Sequence, residues 1–463
     1  MTLPQNFHII NHPVIEHKLT QIRNEKTQPK EIRELVKEVS VLLGYESAKK
    51  LPVKSVKIKN YFLIYIISLG IFVTFYLYFK HAVLNDSSIS EWLINYQGGF
   101  TRRGLSGEIL FYLSDFFNLN LRFAIFVTQA FFHLLFLYLL FIYLKDLRLN
   151  IIQIFALYAP IFLLYPVAEI EVLGRKEIIL FFFFISLLFF SDKKFSKNHV
   201  NYMTFIFLPL ICFIWEQVIL FTPFIVSVLI IKNKFKTFKE TFLKTLLILF
   251  PSIVSIVFIF LSPLSKEGHE IMCNALLERF GDTCYMSAQL LMVNTVYFDT
   301  LYIHSNTNLF NYIRYLGIFL IGFLPLNYLL IKSEFILKDN FITKNFKVHI
   351  LFLLLYLPSI IIFIYGWDWG RWINILYTYS ILLYFYFYKN NLIKLKNENF
   401  HHIINYISGK KFLSATIFII FAFGWHPKAT LSEDIGSLPV YRIPYKATKF
   451  VKIIKTRLKE EKN

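Results

Sequence analysis

Residues 61–80 read YFLIYIISLGIFVTFYLYFK, an apolar run with one charge, at its last position. A helix of about 20 residues spans about 30 Å, the thickness of the hydrocarbon core of a bilayer. Similar runs recur along the chain, which has 463 residues and is 56% hydrophobic, with 53 Phe and 28 Tyr. The sequence therefore predicts an all-α, polytopic bundle of transmembrane helices.

We expect about eleven spans, several of them short. They lie at 61–80, 121–144, 149–166, 177–191, 201–214, 217–231, 243–262, 311–331, 348–365, 371–388 and 411–425. The pair 201–214 and 217–231 could also be one long tilted helix. The segment 104–117 is too short to cross, and its pattern predicts an amphipathic helix in the membrane interface. The chain then divides into an arm (1–60), a transmembrane domain (61–425) and a basic tail (426–463).

Charge sets the expected orientation. The net charge of +19 lies in short clusters between apolar runs, which favours positive cytoplasmic loops over a nucleic-acid partner. Seventeen Lys and Arg lie in one alternating set of loops and eleven more in the N-terminal arm, whereas the other loops hold seven. We therefore expect a cytoplasmic N-terminus, residence in the inner (cytoplasmic) membrane of a bacterium, and contact with its lipids. An odd number of spans places the tail outside, whereas its basic composition favours the cytoplasm, so the side of the tail stays open.

The first outer loop, residues 84–113, reads LNDSSISEWLINYQGGFTRRGLSGEILFYL. It carries the candidate residues Asp86, Glu91, Arg102, Arg103 and Glu108. Two adjacent arginines near a helix N-terminus predict a phosphate or pyrophosphate site. The same pair could instead be interface anchors whose side chains reach the lipid headgroups.

The second outer loop, residues 166–177, reads PVAEIEVLGRKE. Glu169 and Glu171 could bind a divalent cation or orient a sugar hydroxyl, and Arg175 follows them. A solvated loop with charge-balanced helix ends is the alternative. We expect Glu216, at the outer end of the 201–231 hairpin, to face the same cavity.

The third outer loop, residues 365–373, reads YGWDWGRWI. Asp368 and Arg371 could form an ion pair that locks this short turn. Trp367 and Trp369 fit an aromatic belt at the membrane surface, and they could also stack on sugar rings in a substrate cleft.

Three cysteines are present. Cys273 and Cys284 flank a short polar stretch in a long outer loop, where a disulfide between them is plausible. Cys212 lies in an apolar run and reads as an inert core residue.

The arm contains HPVIEHKLTQIRNEKTQPKEIRELVKEVSVLLGYESAKKLPV at residues 12–53, with apolar residues at helical spacing over 29–47. This stretch closely resembles the N-terminal arm of uracil phosphoribosyltransferase. That family holds phosphoribosyl pyrophosphate in a Gly-Ser-rich loop, and nothing like that loop follows, because a membrane span begins at residue 61. The activity is therefore not expected here, and the arm reads as a fusion or remnant.

The outer-face layout resembles the GT-C superfamily of membrane glycosyltransferases over roughly residues 61–390. These enzymes have an acidic residue in the first outer loop, often a second acidic motif in the next, and use polyprenyl-phosphate-linked sugars. The resemblance implies that Asp86, or alternatively Glu91, acts as the base or polarises the acceptor hydroxyl. Arg102 and Arg103 would hold the donor phosphate, with Arg371 as a further contact. Glu169 and Glu171 would match the second acidic motif, with metal dependence left open.

Two other classes stay open. A transporter or flippase for lipid-linked saccharides would need ionisable residues within the spans and paired broken helices, which the sequence lacks. A polysaccharide polymerase or ligase would share the outer-face chemistry and differ in its acceptor.

Overall fold

The computed structural model describes residues 13–24, 28–49, 56–57, 59–82, 87–192, 195–284, 288, 291, 304–396 and 410–431. The chain forms two units, Met1–Val56 and Lys57–Asn463. Helix is the dominant structure in both, so the predicted all-α fold class is confirmed.

The first unit is a helical hairpin of α1 (Pro13–Ile22) and α2 (Pro29–Lys49). Ile15 and Val39 are buried, and Lys18 pairs with Glu38 between the two helices. The apolar spacing over 29–47 thus predicted α2 correctly, to within two residues at its end. Strand β1 (Val56–Lys57) follows.

The second unit begins with α3 (Lys59–His81). The next elements, up to residue 190, are α4 (Ser87–Leu93), α5 (Leu105–Phe116), α6 (Leu121–Leu144), β2 (Arg148–Leu149), α7 (Ile151–Leu157), α8 (Tyr165–Ala168) and α9 (Glu177–Phe190). The following helices are α10 (Lys197–Ile214), a 3₁₀ helix (Glu216–Phe221), α11 (Thr222–Asn233), α12 (Phe238–Leu261) and α13 (Lys266–Phe280). The remaining described elements are α14 (Leu309–Lys332), β3 (Ser333–Phe335), α15 (Phe341–Asn345), α16 (Val348–Tyr356), a 3₁₀ turn (Leu357–Ser359), α17 (Ile360–Tyr365), α18 (Trp369–Lys389), β4 (Ile393–Leu395) and α19 (Lys411–Phe423).

Six segments of the described chain are long and apolar enough to cross a membrane. They are Lys59–His81, Leu121–Leu144, Glu216–Asn233, Phe238–Leu261, Leu309–Lys332 and Val348–Tyr365. Large apolar side chains on these helices point outward, such as Leu247 and Phe260, which are 70% and 75% exposed. Exposed apolar surface on this scale fits a lipid environment and marks a multi-pass membrane protein.

The segment 149–166 does not form the single span expected from its hydropathy. It breaks into α7 and α8, joined by irregular backbone that is nearly all buried. Side chains of α18 satisfy the freed carbonyl groups: Asn374 donates to Ile161 at 2.8 Å and Tyr377 donates to Ala156 at 2.6 Å. Irregular backbone is tolerated at membrane depth when protein groups replace the missing helical hydrogen bonds.

Helix α18 lies at the centre of the second unit. All its residues from Gly370 to Phe387 are buried, and it packs against α9, α11, α14 and α17. Just beyond its C-terminal end, β3 and β4 pair antiparallel, with Ser333 opposite Leu395. Its N-terminal end carries Arg371, and the charged residues of the outer loops gather there.

Candidate functional site

Charged side chains converge at the end of the second unit where α4, α5, the loop before α9 and the turn before α18 meet. We call this region the charged end. Its buried charged side chains include Glu91, Glu169, Lys176, Glu177, Glu216 and Arg371. Burying a charge is costly unless it is paired, so the pairing of these groups determines the local structure.

Arg371 joins three carboxylates that are far apart in the sequence. It forms close ion pairs with Glu177 and Asp368, and its Nη2 lies 3.6 Å from Glu91 Oε1. The guanidinium also lies 5.1 Å from the ring centre of Trp372. The expected Asp368–Arg371 contact is therefore present, but it is one part of a larger buried network.

Glu91 is the second hub of this network. Its carboxylate accepts from Arg175 at 2.5 Å and faces Arg371 as well. Burial would raise the pKa of Glu91, but the positive charges of Arg175 and Arg371 outweigh burial and lower it to about 2. Glu91 is consequently ionised at neutral pH and a weak base, which favours an anchoring role.

The adjacent arginines lie on the turn between α4 and α5. Arg103 grips Glu216 with two nitrogens, at distances of 2.8–3.1 Å. Arg102 faces the same carboxylate at 3.7 Å, and its side chain is 31% exposed. Two guanidinium groups thus converge on one carboxylate, and the outer of them reaches the surface.

Lys176 connects the two parts of the charged end. Its side chain is fully buried, and its Nζ donates to the Arg103 carbonyl oxygen at 2.5 Å. The ammonium also lies 6.0 Å from the ring centre of Trp92. Burial lowers the pKa of Lys176 to about 7, although Glu91 and Glu216 act in the opposite direction.

Glu108 is not part of the charge network. It stabilises the turn between α4 and α5. Its carboxylate accepts from the Tyr96 backbone N–H at 2.7 Å and from Gln97 Nε2 at 3.0 Å. The next residues, Gly98 and Gly99, bend the chain; a Cβ at Gly98 would lie 1.7 Å from the Gly268 carbonyl oxygen. Close contact between this turn and α13 therefore requires glycine.

Glu169 and Glu171 occupy different surroundings. Glu169 is buried, with Lys428 Nζ at 3.7 Å and His426 Nδ1 at 3.8 Å. Glu171 is exposed. A lysine ammonium already faces the buried carboxylate, so the pair does not fit a divalent cation.

The tryptophans of the 365–373 loop pack against protein. Trp369 donates to the Phe363 carbonyl oxygen at 3.0 Å, and its ring meets Tyr312 and Tyr315 edge-on. The Trp367 carbonyl oxygen accepts from the Leu431 N–H at 2.8 Å. These contacts bring the segment after α19 to the charged end.

Several members of the network were not among the sequence candidates. Lys176 and Glu177 follow Arg175 directly and read as an ordinary charge-balanced helix start. Trp92 and His426 carried no pattern that marks a site. The sequence contained one signal for these residues: three successive charges, at residues 175–177, stand directly before the apolar run of α9.

A disulfide joins Cys273, in α13, to Cys284 just beyond it. Two ion pairs hold the same region to the first outer loop and α6: Arg279 with Asp115, and Arg122 with Asp282, each at 2.6 Å. Helix α13 is therefore fastened over the Gly98 turn.

Replacing Cys273 with Ser should lower the free energy of unfolding by about 2–4 kcal/mol, because the cross-link no longer restricts the unfolded chain. Thermal unfolding with and without dithiothreitol measures this. The reductant should shift the unfolding temperature of the wild-type protein and leave that of the variant unchanged. A shift of similar size in both would contradict the assignment.

Two apolar clefts lie in the second unit, and the first of them is at the charged end. A cavity of about 40 Å³ is lined by Arg175, Glu177 and Arg371 together with apolar residues of α3, α6 and α9. A groove of about 650 Å³ runs between α6, α9 and α10, reaching Ile179 and Ile214. Those two residues lie two positions from Glu177 and Glu216. Asp86 lies outside the described residues.

A family of known proteins matches the N-terminal end of the chain. The uracil phosphoribosyltransferase family matches residues 9–62. The uracil phosphoribosyltransferase of Dictyoglomus turgidum is 45% identical over 52 residues, covering 11% of this chain and 25% of that enzyme. The enzyme of Desulfitobacterium hafniense is 50% identical over 53 residues, covering 11% and 25%. That of Streptococcus salivarius is 47% identical over 54 residues, covering 12% and 26%.

No solved structure matches the chain. The chain spans about a quarter of the length of the curated relatives it matches. The predicted likeness of residues 12–53 to the start of uracil phosphoribosyltransferase is confirmed. The protein is therefore a helical protein with several helices that could span a membrane, and it carries a short segment similar to uracil phosphoribosyltransferase.

Proposed function

We propose that the chain is a membrane glycosyltransferase that moves a sugar from a polyprenyl phosphate donor to a cell-surface glycan or lipid acceptor. The carrying observation is the position of Arg102 and Arg103 at one end of an apolar helix bundle. Their guanidinium groups share one carboxylate, and Arg102 reaches the surface. A pair of adjacent guanidinium groups suits the phosphate of a lipid-linked donor.

The neighbouring groove supports the lipid part of this proposal. It is almost wholly apolar and runs between α9 and α10, with His199 and Tyr202 in one part of its lining and Ile179 and Ile214 in another. This lining suits the apolar chain of a lipid, and the arginine pair suits an anionic head group. Membrane lipids supply such chains throughout the surrounding bilayer.

In the proposed reaction, the acceptor hydroxyl oxygen attacks the anomeric carbon of the donor sugar while the bond from that carbon to the phosphate oxygen breaks. The hydroxyl proton passes to a carboxylate, and the polyprenyl phosphate leaves with the bonding electrons. Arg102 and Arg103 stabilise the charge that develops on the phosphate. We assign the base role to Asp86, because the ion pairs of Glu91 make it a weak proton acceptor.

Replacing Asp86 with Asn should lower kcat for transfer by about 10²–10⁴-fold, the usual contribution of a general base. Transfer is measured in membranes supplied with a panel of radiolabelled polyprenyl-phosphate hexoses. The matched control is Asp115→Asn, which changes a half-buried acid near the end of α5 and should leave transfer unchanged. Wild-type transfer by the Asp86 variant would remove that residue from the mechanism.

The same membranes also test two competing functions, a flippase and a phosphoribosyltransferase. Movement of the labelled donor across sealed vesicles without transfer would replace the enzyme with a flippase. Incubation with uracil and phosphoribosyl pyrophosphate tests the activity named by the arm's relatives. We expect no turnover there, because the matched segment ends at residue 62.

A further inference from the structure

The backbone at Arg103 is strained. Its φ angle is 64°, in the left-handed region that residues other than Gly, Asn and Asp seldom adopt. Such strain persists only where surrounding contacts fix it, and it is concentrated at functional sites. The geometry of the Arg102–Arg103 turn is therefore maintained by its neighbours and not by its own preference.

Two contacts fix this conformation. The Arg103 side chain is held by the two-pronged contact with Glu216. The Arg103 carbonyl oxygen accepts from Lys176 Nζ. The first contact orients the guanidinium, whereas the second acts on the strained backbone itself.

Lys176 is well placed to hold that backbone because its own position is rigid. Gly174, two residues before Lys176, has a φ of 82°. Its carbonyl oxygen accepts from Trp92 Nε1 at 2.7 Å and from Gln129 Nε2 at 2.8 Å. The Trp92 ring also faces the ammonium. If the Arg103 turn moved, Lys176 could not follow it, because Trp92 and Gln129 hold the backbone next to Lys176. The hydrogen bond between Lys176 and the turn would be lost.

Direct ion pairing does not explain why a lysine is buried here. Among the described residues, Lys176 forms no ion pair within 4 Å, and the nearby carboxylates are paired by arginines. An apolar side chain would avoid the desolvation cost of a buried ammonium. The hydrogen bond to Arg103 is the specific interaction that such a side chain could not make.

We propose that Lys176 is a positioning residue that clamps the left-handed turn at Arg103 and thereby sets the affinity of Arg102 and Arg103 for the phosphate of a lipid-linked ligand. The ligand's identity rests on the proposed function. The clamp itself rests on the turn geometry alone.

The clamp makes phosphate binding depend on pH. Charged groups face Lys176 from each neighbouring element: Glu91 on α4, Arg103 on the turn, Glu216 on the 3₁₀ helix and Glu177 on α9. With a pKa near 7, the ammonium becomes an amine as the pH rises from 6.5 to 8.5. A neutral donor forms a weaker hydrogen bond, and one positive charge leaves the charged end. The contribution of Lys176 to phosphate affinity should therefore fall with rising pH.

The test compares wild-type protein with Lys176→Met and Lys176→Arg, each as the full chain in detergent. The probes are farnesyl phosphate, farnesol and inorganic phosphate. Lys244→Met serves as the control, because Lys244 is exposed on α12 and pairs with Glu240 one helical turn earlier. Dissociation constants are measured at pH 6.5, 7.5 and 8.5.

We expect Lys176→Met to raise the Kd for farnesyl phosphate about tenfold at pH 6.5, the order expected for one charge-assisted hydrogen bond. The Kd of the wild-type protein should rise from pH 6.5 to 8.5 relative to that of Lys176→Arg, which keeps its charge and restores most of the affinity. Farnesol binding should not change. An unaltered Kd in Lys176→Met, or the same pH dependence in Lys176→Arg, would overturn the clamp.

Backbone hydrogen exchange tests the clamp independently of the proposed function, because it needs no bound lipid. Backbone amides of residues 98–105 should exchange faster in Lys176→Met than in the wild-type protein and in Lys244→Met, whether or not any lipid binds. Failure of the wild-type protein to bind farnesyl phosphate would count against the proposed function, while unchanged exchange would overturn the clamp. Equal affinity for inorganic phosphate would keep the clamp and overturn the lipid as the source of the phosphate.

If Lys176→Met does not fold, Lys176→Arg carries the test. A pH dependence of the Kd that differs between the wild-type protein and Lys176→Arg supports the clamp, and the same pH dependence in both overturns it.

Discussion

Replacing Arg371 with Met should lower the free energy of unfolding by about 3–5 kcal/mol, the cost typical of breaking a buried ion pair by removing one partner. Glu177 and Asp368 would lose their close ion-pair partner, and Glu91 would keep only Arg175. Methionine keeps an unbranched apolar stem in place of the arginine stem, so most of the loss reports the missing guanidinium group. The change appears as a lower thermal unfolding midpoint in detergent.

The matched control is Arg279→Met, which breaks a pair of similar distance at the surface. Arg279 and Asp115 are 61% and 33% exposed, and such pairs contribute about 0–1 kcal/mol. A double variant, Arg371→Met with Glu177→Gln, should recover part of the loss because one buried charge is removed with its partner. Equal small shifts for Arg371 and Arg279 would show that the buried network does not stabilise the fold.

Replacing Gly370 with Ala should separate the segment after α19 from the charged end. A Cβ there would lie 1.9 Å from the Lys428 carbonyl oxygen and 2.5 Å from the Tyr165 hydroxyl oxygen. The Gly370 N–H also donates to the Ala429 carbonyl oxygen at 3.1 Å. Overpacking of this kind costs about 1–3 kcal/mol. We expect a lower unfolding temperature and faster tryptic cleavage after Lys428.

Gly317→Ala is the matched control for that substitution. Gly317 lies within α14 and a Cβ there would meet nothing within 4 Å, so alanine should stabilise the helix by about 0.5–1 kcal/mol. If both glycine variants cleaved at the wild-type rate, the close contact between Gly370 and Lys428 would not hold the segment.

Much of the helical fold follows from hydropathy and length. The run 121–144 matches α6 at both ends, and 61–80 lies within α3. The segment 149–166 differs because its broken backbone depends on partners from α18, more than two hundred residues away. Local sequence contains no information about that pairing.

The candidate site was predictable in its members and not in its contacts. Arg103 and Glu216 are 113 residues apart, so their pairing depends on how α10 packs against the first outer loop. Spacing placed Glu169 and Glu171 together, yet the turn after α8 buries one and exposes the other. Composition indicates which residues are charged, whereas the topology decides which charges meet.

The central position of α18 has a consequence for how the protein is made. This helix begins at residue 369 of 463, so the ribosome has completed most of the chain before the helix exists. Until then, Glu91 and Glu177 lack Arg371, and the irregular backbone around Ile161 lacks Asn374. Final packing of the second unit is therefore a late step. A chain that ended before α18 would have the acidic residues of the charged end without Arg371, and it would lack the helix against which α9, α11 and α14 pack.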